Sequence, residues 1–313
     1  MQNEKNVLIN GIIMCMLFVS CSNNSFELDT NNATNNVEHS ELLAQMASFN
    51  DSILGVKKQT RAFVQPGAWR RAQIIAADCG GAYSGGKAGA WAGAFLGPDG
   101  AIAGGFLGGL LGAACGSYVA WESTRPSTRA VSLAPVNIEL AKEKTINAYA
   151  SMLVEDRNTS DFIPQIVNVQ YPVINENITL MGAKHNMILG KLVNDENINI
   201  EGRKQLTDDQ LRIINSRDFS DSFNSAMDNI CNNITTTDGM ALKGEDISTK
   251  LMNMFYDILI RYPDGLTDIE FIINKYIEAV KNSQEISESD KELIYSGLSV
   301  AASSSEFWNE NYK

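Results

Sequence analysis

The positions of apolar residues predict α-helices along most of the second half of the chain. From residue 136 onward, apolar side chains recur every three or four residues, which places them on one face of a helix. We therefore expect an all-α fold whose main helical domain covers residues 136–313. The expected core faces are Leu140, Thr145, Ile146, Tyr149 and Leu153; Phe219, Phe223, Met227 and Ile230; Ile247, Leu251, Met254, Phe255 and Ile258; Ile269, Ile273, Tyr276, Ile277 and Val280; and Ile294, Leu298 and Ala301.

Two helix starts and one exception complete this pattern. Thr267 to Glu270 matches a capping box, and Ser287 to Asp290 marks the start of the last helix. Between Phe162 and Ile178 the apolar residues alternate instead, as they do in an extended chain. This is the one segment of the domain that we expect to be extended.

The first twenty residues have the pattern of an export signal. A short charged start precedes an apolar stretch from Val7 to Val19, which is too short to span a bilayer comfortably. The stretch ends in Phe18-Val19-Ser20-Cys21. This ending resembles the lipobox of bacterial lipoproteins, in which the signal is removed and the cysteine that follows it is acylated. The alternative is an uncleaved anchor helix that contains an ordinary cysteine.

The lipobox resemblance implies a location and a partner. Residues 1–20 would be the signal peptide, and Cys21 would be the lipidation site whose acyl chains bind membrane lipid, each buried methylene contributing roughly 0.8 kcal/mol. The protein is then expected in the cell envelope, anchored to the outer membrane, with a periplasmic and a surface-facing orientation both open. Residues 21–66 would be a lipidated flexible tether, because its Asn-rich start cannot bury enough apolar surface to fold. A short helix over 40–58 is allowed for within it.

Fourteen of the 24 glycines lie between Gly80 and Gly116. Ten of them, here called the glycine repeat, are spaced by four along two arms, and this spacing places them on one stripe of a helix. Because glycine weakens a helix by roughly 1 kcal/mol relative to alanine, close approach of a second helix is the expected compensation. The glycine repeat consists of Gly81, Gly85, Gly89, Gly93 and Gly97 in the first arm, and Gly100, Gly104, Gly108, Gly112 and Gly116 in the second.

The sequence Gly97-Pro98-Asp99-Gly100 predicts a turn between the arms, so residues 67–121 predict an antiparallel helical hairpin with its glycines at the interface. Each arm would be about 26 Å long, close to the roughly 30 Å of a bilayer core. The uncharged second arm suits a membrane, whereas Lys87 in the first arm favours a hairpin packed inside a soluble body. Both interpretations stay open at this stage, as does a flexible Gly-rich linker.

This segment resembles the glycine-zipper two-helix domains of bacterial outer-membrane lipoproteins and surface antigens, and also the hydrophobic helices of some small bacteriocins. The resemblance covers residues 68–121 and implies helix packing, self-association or bilayer insertion. A linker is expected at 122–135. Beyond it, the segments Gly182 to Leu189 and Leu298 to Trp308 resemble parts of uncharacterised lipoproteins of Bacteroidota. These short likenesses imply kinship rather than an activity.

Two cysteines lie within the predicted hairpin. If the hairpin is centred between Pro98 and Asp99, residue 79 faces about residue 118, so Cys115 lies within about one helical turn of Cys79. Exported proteins meet an oxidising compartment, which favours a disulfide between them. Two small buried thiols fit the pattern equally well.

Charge and motifs narrow the chemistry further. A formal net charge of −12 makes nucleic acid a poor partner. No Cys/His metal spacing, phosphate loop or nucleophile motif occurs, so we expect no metal, no cofactor and no catalytic residues. His185 is the one histidine outside the tether, and with Asn186 it is expected to form a structural hydrogen-bonding hub at a helix start or turn.

These observations favour a non-enzymatic, membrane-anchored envelope lipoprotein. Its hairpin would serve membrane insertion or helix packing, and its helical domain would be a binding or scaffold module. One alternative is a membrane-active protein, similar to a bacteriocin or toxin, that acts through the hairpin. A second alternative is a hydrolase whose site has no recognisable motif.

Overall fold

The computed structural model describes residues 40–59, 67–124, 136–156, 169–172, 176–194, 200–234, 241–261 and 269–311. Within these ranges the regular structure is entirely helical, which confirms the expected all-α fold. The α-helices are α1 (Glu41–Gln59), α2 (Ala68–Gly93), α3 (Pro98–Thr124), α4 (Ile138–Asp156), α5 (Glu176–Val193), α6 (Asp208–Ile214), α7 (Arg217–Ile234), α8 (Ile247–Arg261), α9 (Ile269–Asn282) and α10 (Glu288–Asn311). In the same ranges, a 3₁₀ helix at Ala94–Leu96 lies between α2 and α3, and another at Ile200–Gln205 lies between α5 and α6.

Several predicted features lie outside the described residues. These are the signal peptide, Cys21, the start of the tether, most of the linker at 122–135, and the Thr267 end of the capping box. Helix α1 covers the segment at 40–58 for which a short helix was allowed.

Helices α2 and α3 pack against each other, antiparallel, through the glycine repeat. A Cβ atom added to Gly81, Gly85, Gly89 or Gly93 would lie 1.9–2.3 Å from the carbonyl oxygen of Gly112, Gly108, Gly104 or Gly100 respectively. No side chain fits at such distances, so the two backbones are in direct contact. This contact supplies the compensation for glycine in a helix that the spacing implied.

The turn between these helices lies earlier in the chain than the sequence suggested. Helix α2 gives way to the 3₁₀ helix Ala94–Leu96, and Gly97 then adopts a φ of +91°, which a residue with a side chain rarely adopts. Pro98 begins α3, a position that suits proline because its missing N–H would have no helical partner there. The expected turn at residues 97–100 is therefore wrong beyond Gly97, and the hairpin is centred between Leu96 and Gly97.

The other helices enclose this pair. Helices α7, α8 and α10 pack on α2, and α4, α5 and α7 pack on α3. The buried residues of the pair and of the segments after residue 136 form one continuous hydrophobic cluster. Helix α3 is long and apolar enough to cross a membrane, yet 78% of its most apolar 18-residue window is buried inside the protein.

Most of the predicted helix faces are buried, and the two departures have simple causes. Leu140 is 56% exposed, because Ala141, Thr145, Ala148 and Met152 form the buried face of α4 instead. Residues 162–168 and 173–175 of the expected extended segment lie outside the described residues, and the segment is wrong at its end, where residues 176–178 already belong to α5. The apolar residues of α5 recur with helical spacing and continue the face that begins at Ile178, and this longer pattern outweighs the alternation before it.

The disulfide considered between Cys79 and Cys115 is not formed, and both cysteines are free and buried. Their thiols serve different parts of the core. The sulfur of Cys79 lies 3.3 Å from where a Cβ on Gly297 of α10 would stand. Cys115 interacts instead with Thr145 of α4 and Cys231 of α7. The two side chains leave the hairpin towards different helices, so neighbouring backbone positions do not bring the sulfur atoms together.

Candidate binding cleft

A cleft opens on the surface where α2, α7, α8 and the start of α10 meet. Its volume is about 780 Å³, which lies within the range typical of small-molecule sites. Its wall is formed by Tyr83, Lys87 and Trp91 of α2, which are spaced by four residues and therefore share one side of that helix. The same helix presents its glycines to α3, so one element carries both the packing contact and the cleft wall.

Asp246 anchors the polar end of this wall. It precedes α8, and its carboxylate accepts hydrogen bonds from the Thr249 backbone N–H at 2.9 Å, from the Thr249 hydroxyl at 2.8 Å and from the Ser248 hydroxyl. The backbone bond is the usual N-cap interaction, and it satisfies an amide that the helix leaves unpaired. The local sequence thus fixes the carboxylate at the rim of the cleft.

Lys87 reaches this carboxylate from α2. Its Nζ lies 3.1 and 3.2 Å from the two carboxylate oxygens of Asp246 and 3.3 Å from the Thr249 hydroxyl. The same Nζ lies 4.9 Å from the centre of the Tyr83 ring. The Tyr83 hydroxyl is 2.8 Å from that of Ser248. The result is a connected polar group that joins α2 to α8.

The pKa values of this group are shifted away from neutral pH, so its charges do not change near pH 7. Burial alone would raise the pKa of Asp246, but Lys87 and the bonds from Ser248 and Thr249 outweigh it and lower that pKa to about 2. Burial alone would lower the pKa of Lys87, but Tyr83 and Asp246 outweigh it and raise that pKa above its ordinary value. Burial raises the pKa of Tyr83 to about 12. At neutral pH the group therefore contains a cation, an anion and a neutral phenol.

The rest of the cleft is lined by short polar side chains and a few apolar ones. Trp91 is 54% exposed, so its ring is available to a bound molecule. Polar residues that line the cleft are Ser84, Asp221, Ser222, Ser225, Asn229, Lys243, Ser287, Ser289 and Asp290.

A second polar cluster lies inside the core and contains His185. Asp78 of α2 and His185 of α5 are both fully buried, with 3.8 Å between the Asp78 Oδ2 and His185 Nε2 atoms. The Asp78 Oδ2 atom also accepts a hydrogen bond from the Ser304 hydroxyl and another, at 3.4 Å, from the Trp308 indole. Helix α10 thus supplies both donors.

The hydrogen bonds fix the tautomer of His185. The Asn186 amide donates to the Ser303 carbonyl at 2.8 Å, so its oxygen must accept from the His185 Nδ1, 3.0 Å away. Nδ1 therefore carries the proton, and Nε2 presents a lone pair towards Asp78. Burial raises the pKa of Asp78 to about 7 and lowers that of His185 to about 4. Both groups are thus favoured in their neutral forms.

His185 does not lie where the sequence predicted it. The residue lies in the middle of α5, so the expected position at a helix start or turn is wrong, although its hydrogen bond to Asn186 is present. Sequence reasoning missed the pair of Lys87 and Asp246 entirely. The available signals were a lone lysine within the glycine repeat and an Asp that precedes a helical pattern, which is typical of an N-cap.

Comparisons with known proteins add no further assignment. No protein-family profile matches the chain, and searches among curated proteins and among solved structures find no match.

Proposed function

We propose that the chain is a non-enzymatic, lipid-anchored protein of the cell envelope whose helical body binds a small polar molecule in the cleft beside Lys87 and Asp246. The observation that carries this proposal is the cleft itself. It combines a volume of about 780 Å³, an exposed aromatic ring and a wall of short polar side chains. Such a combination of concavity, apolar surface and a few fixed polar groups is typical of ligand sites.

The fixed charges favour binding over hydrolysis. A general acid or base works best when its pKa lies near the working pH. Lys87 stays charged, Asp246 has a pKa of about 2 and Tyr83 one of about 12, so none of the three is suited to exchange protons at neutral pH. His185, the base that a Ser-His-Asp hydrolase would require, is buried in the core with a lowered pKa.

The arrangement of the hairpin supports a role in packing. Its glycines bring two backbones into contact, and the helices that enclose it cover the surface that a lipid would otherwise meet. In this proposal residues 1–20 direct export, and the acyl chains on Cys21 hold the protein at the membrane.

One observation favours the second candidate, a membrane-active protein. Phe95, at the closed end of the hairpin, is 56% exposed, and Trp91 is exposed on the preceding turn. Aromatic side chains of this kind are common at membrane interfaces. For this candidate the hairpin would have to leave the enclosing helices before it could insert.

The proposed function can be tested by filling the cleft. The full chain, purified in detergent, is incubated with a small-molecule extract of the producing cells and recovered by gel filtration. Compounds that it retains are released by denaturation and identified by mass spectrometry. Ser225→Trp places an indole in the cleft from an exposed position of α7, and Asp228→Trp adds the same group to an exposed position of α7 outside the cleft.

We expect the wild-type chain and Asp228→Trp to retain the same compounds and Ser225→Trp to lose them. Retention of nothing by the wild type, or equal retention by all three proteins, would show that the cleft is not a binding site.

A further inference from the structure

We propose that the ligand of the cleft is a neutral, polyhydroxylated molecule, a saccharide, whose ring stacks on Trp91. This inference rests on the proposed function and names the class of ligand. It follows from three properties of the cleft, which are its aromatic surface, the type of its polar side chains and its charge balance.

The aromatic surface is the side chain of Trp91. Its ring is large, 54% exposed and held on a helix that the rest of the protein encloses. The face of an aromatic ring is electron-rich and attracts weakly positive hydrogen atoms. One face of a pyranose presents such hydrogens on its ring carbons while its hydroxyls point outward. A sugar can therefore lie on Trp91 and direct its hydroxyls to the surrounding wall.

The wall suits those hydroxyls. Serines supply five of the lining side chains in the described part of the chain. Each hydroxyl can both donate and accept a hydrogen bond. Carboxylates only accept, and sugar hydroxyls are donors that can reach them. The lining serines are Ser84, Ser222, Ser225, Ser287 and Ser289, and the aspartates are Asp221, Asp246 and Asp290.

The charge balance disfavours an anionic ligand. Of the residues that the structure describes, three aspartates and two lysines line the cleft, and Lys87 is already bound to Asp246. Among the described lining residues, Lys243 is then the cation that remains to attract a phosphate or carboxylate, and Asp290, whose partner Ser287 is uncharged, would repel it.

A cationic ligand is disfavoured as well, because Arg217 and Lys87 already pair with two of the three carboxylates and Lys243 would repel it. Asp290 accepts a hydrogen bond from the Ser287 hydroxyl at 2.9 Å, and Asp221 lies 3.3 Å from the Arg217 guanidinium. Asp246 is paired with Lys87. A neutral molecule with many hydroxyls uses the remaining hydrogen-bonding capacity of these groups without displacing a charge.

The test uses the full chain in detergent and saturation-transfer NMR. The probes are hexasaccharides of glucose, mannose, galactose and N-acetylglucosamine, with glucose 6-phosphate and free lysine as charged probes. Trp91→Ala removes the proposed stacking surface. Trp69→Ala is the matched control, because Trp69 lies on the same helix, is 39% exposed and does not line the cleft.

We expect at least one neutral saccharide to bind, with an affinity about tenfold lower in Trp91→Ala and unchanged in Trp69→Ala. Binding that survives the loss of Trp91, or absence of binding by every saccharide, overturns the proposed ligand class. If the charged probes bind and Ser225→Trp abolishes their binding, the saccharide inference fails while the binding cleft stands. If no probe binds and the wild type retains nothing from the cell extract, the saccharide inference and the binding cleft both fail.

Discussion

At the residue scale, the pair formed by Asp78 and His185 shows how burial redistributes a proton. With ordinary pKa values of 3.8 and 6.5, the unfolded chain between these limits carries an ionised Asp78 and a protonated His185. In the folded chain the pKa of Asp78 rises to about 7 and that of His185 falls to about 4, so the aspartate holds the proton instead. Each state binds one proton, and the pair adds little pH dependence to stability in this window.

A substitution that removes either Asp78 or His185 should reveal the pH dependence of stability that the other residue contributes. The raised pKa of Asp78 contributes stability that is fully present below pH 3.8 and is lost as the pH rises through about 7. The stability linked to the lowered His185 pKa is present above 6.5 and is lost as the pH falls through about 4. Asp78→Asn should therefore become more stable as the pH rises from about 4 to 6.5, and His185→Gln should become less stable. The slopes should approach about 1.4 kcal/mol per pH unit.

Urea unfolding across this pH range measures these slopes, with the double variant as the control that should lose both. Slopes of the same sign in the two single variants would contradict the assignment of the proton.

Individual glycines should differ sharply in their tolerance of a methyl group. A Cβ on Gly89 would lie 1.9 Å from the Gly104 carbonyl oxygen, whereas one on Gly105 would meet nothing closer than 3.5 Å and one on Gly190 nothing within 4 Å. We expect Gly89→Ala to lower the free energy of unfolding by about 3 kcal/mol or more, because two backbones must separate. Gly190→Ala should raise it by about 0.5 to 1 kcal/mol through helix propensity. Equal effects in thermal or urea unfolding would show that the glycines are not packing positions.

At the element scale, the cleft depends on a contact between helices that are far apart in the sequence. Lys87 and Asp246, which join α2 to the start of α8, lie 159 positions apart in the sequence. Because Asp246 also caps α8, the ion pair couples the position of the cleft wall to the start of the neighbouring helix.

Loss of this ion pair should destabilise the fold. Lys87→Met keeps the length of the side chain and leaves Asp246 without its cation, so we expect a loss of about 1 to 2 kcal/mol, limited by the partial exposure of both groups. Lys250→Met removes the lysine of the pair with Glu245, whose side chain is largely exposed, and should change stability by less than about 0.5 kcal/mol. Chemical denaturation compares them, and a Lys87→Met protein as stable as the control would contradict this role.

The sequence predicted features that depend on local patterns, and it did not predict those that depend on contacts between distant helices. The glycine repeat and the helix faces are local patterns, and they predicted the long helices, the packing stripe and the buried Phe219 and Phe223. The turn was misplaced because proline suits both a turn and the first position of a helix. The pairs of Lys87 with Asp246 and of Asp78 with His185 leave no periodic signal, since each depends on the way distant helices pack.

At the scale of the whole molecule, an apolar hairpin lies inside a helical body rather than beside it. A surface that would suit a bilayer by composition is covered by α4, α5, α7 and α10. Attachment to a membrane would then depend on lipid at Cys21, and the folded body would need no bilayer to cover its core.

Removal of the proposed lipidation site should therefore free the protein from the membrane. We expect Cys21→Ser to leave the membrane fraction, to purify without detergent and to release no dye from liposomes, because its hairpin stays covered. The wild-type chain, in contrast, should take up radiolabelled palmitate and remain with membranes. A Cys21→Ser protein that resists carbonate extraction or makes liposomes leak would favour the membrane-active alternative.

The donors that α10 provides to Asp78 also bear on the order in which the molecule can assemble. The Ser304 hydroxyl that donates a hydrogen bond to this carboxyl lies 226 residues further along the chain. A nascent polypeptide that already contains the whole hairpin therefore still lacks this donor to Asp78. Until α10 has been synthesised, helices α2 and α3 lack one of the helices that pack on them. If the chain is exported as proposed, this late closure would keep it open for a long part of its synthesis, and an open chain is the form that a narrow translocation channel can accept.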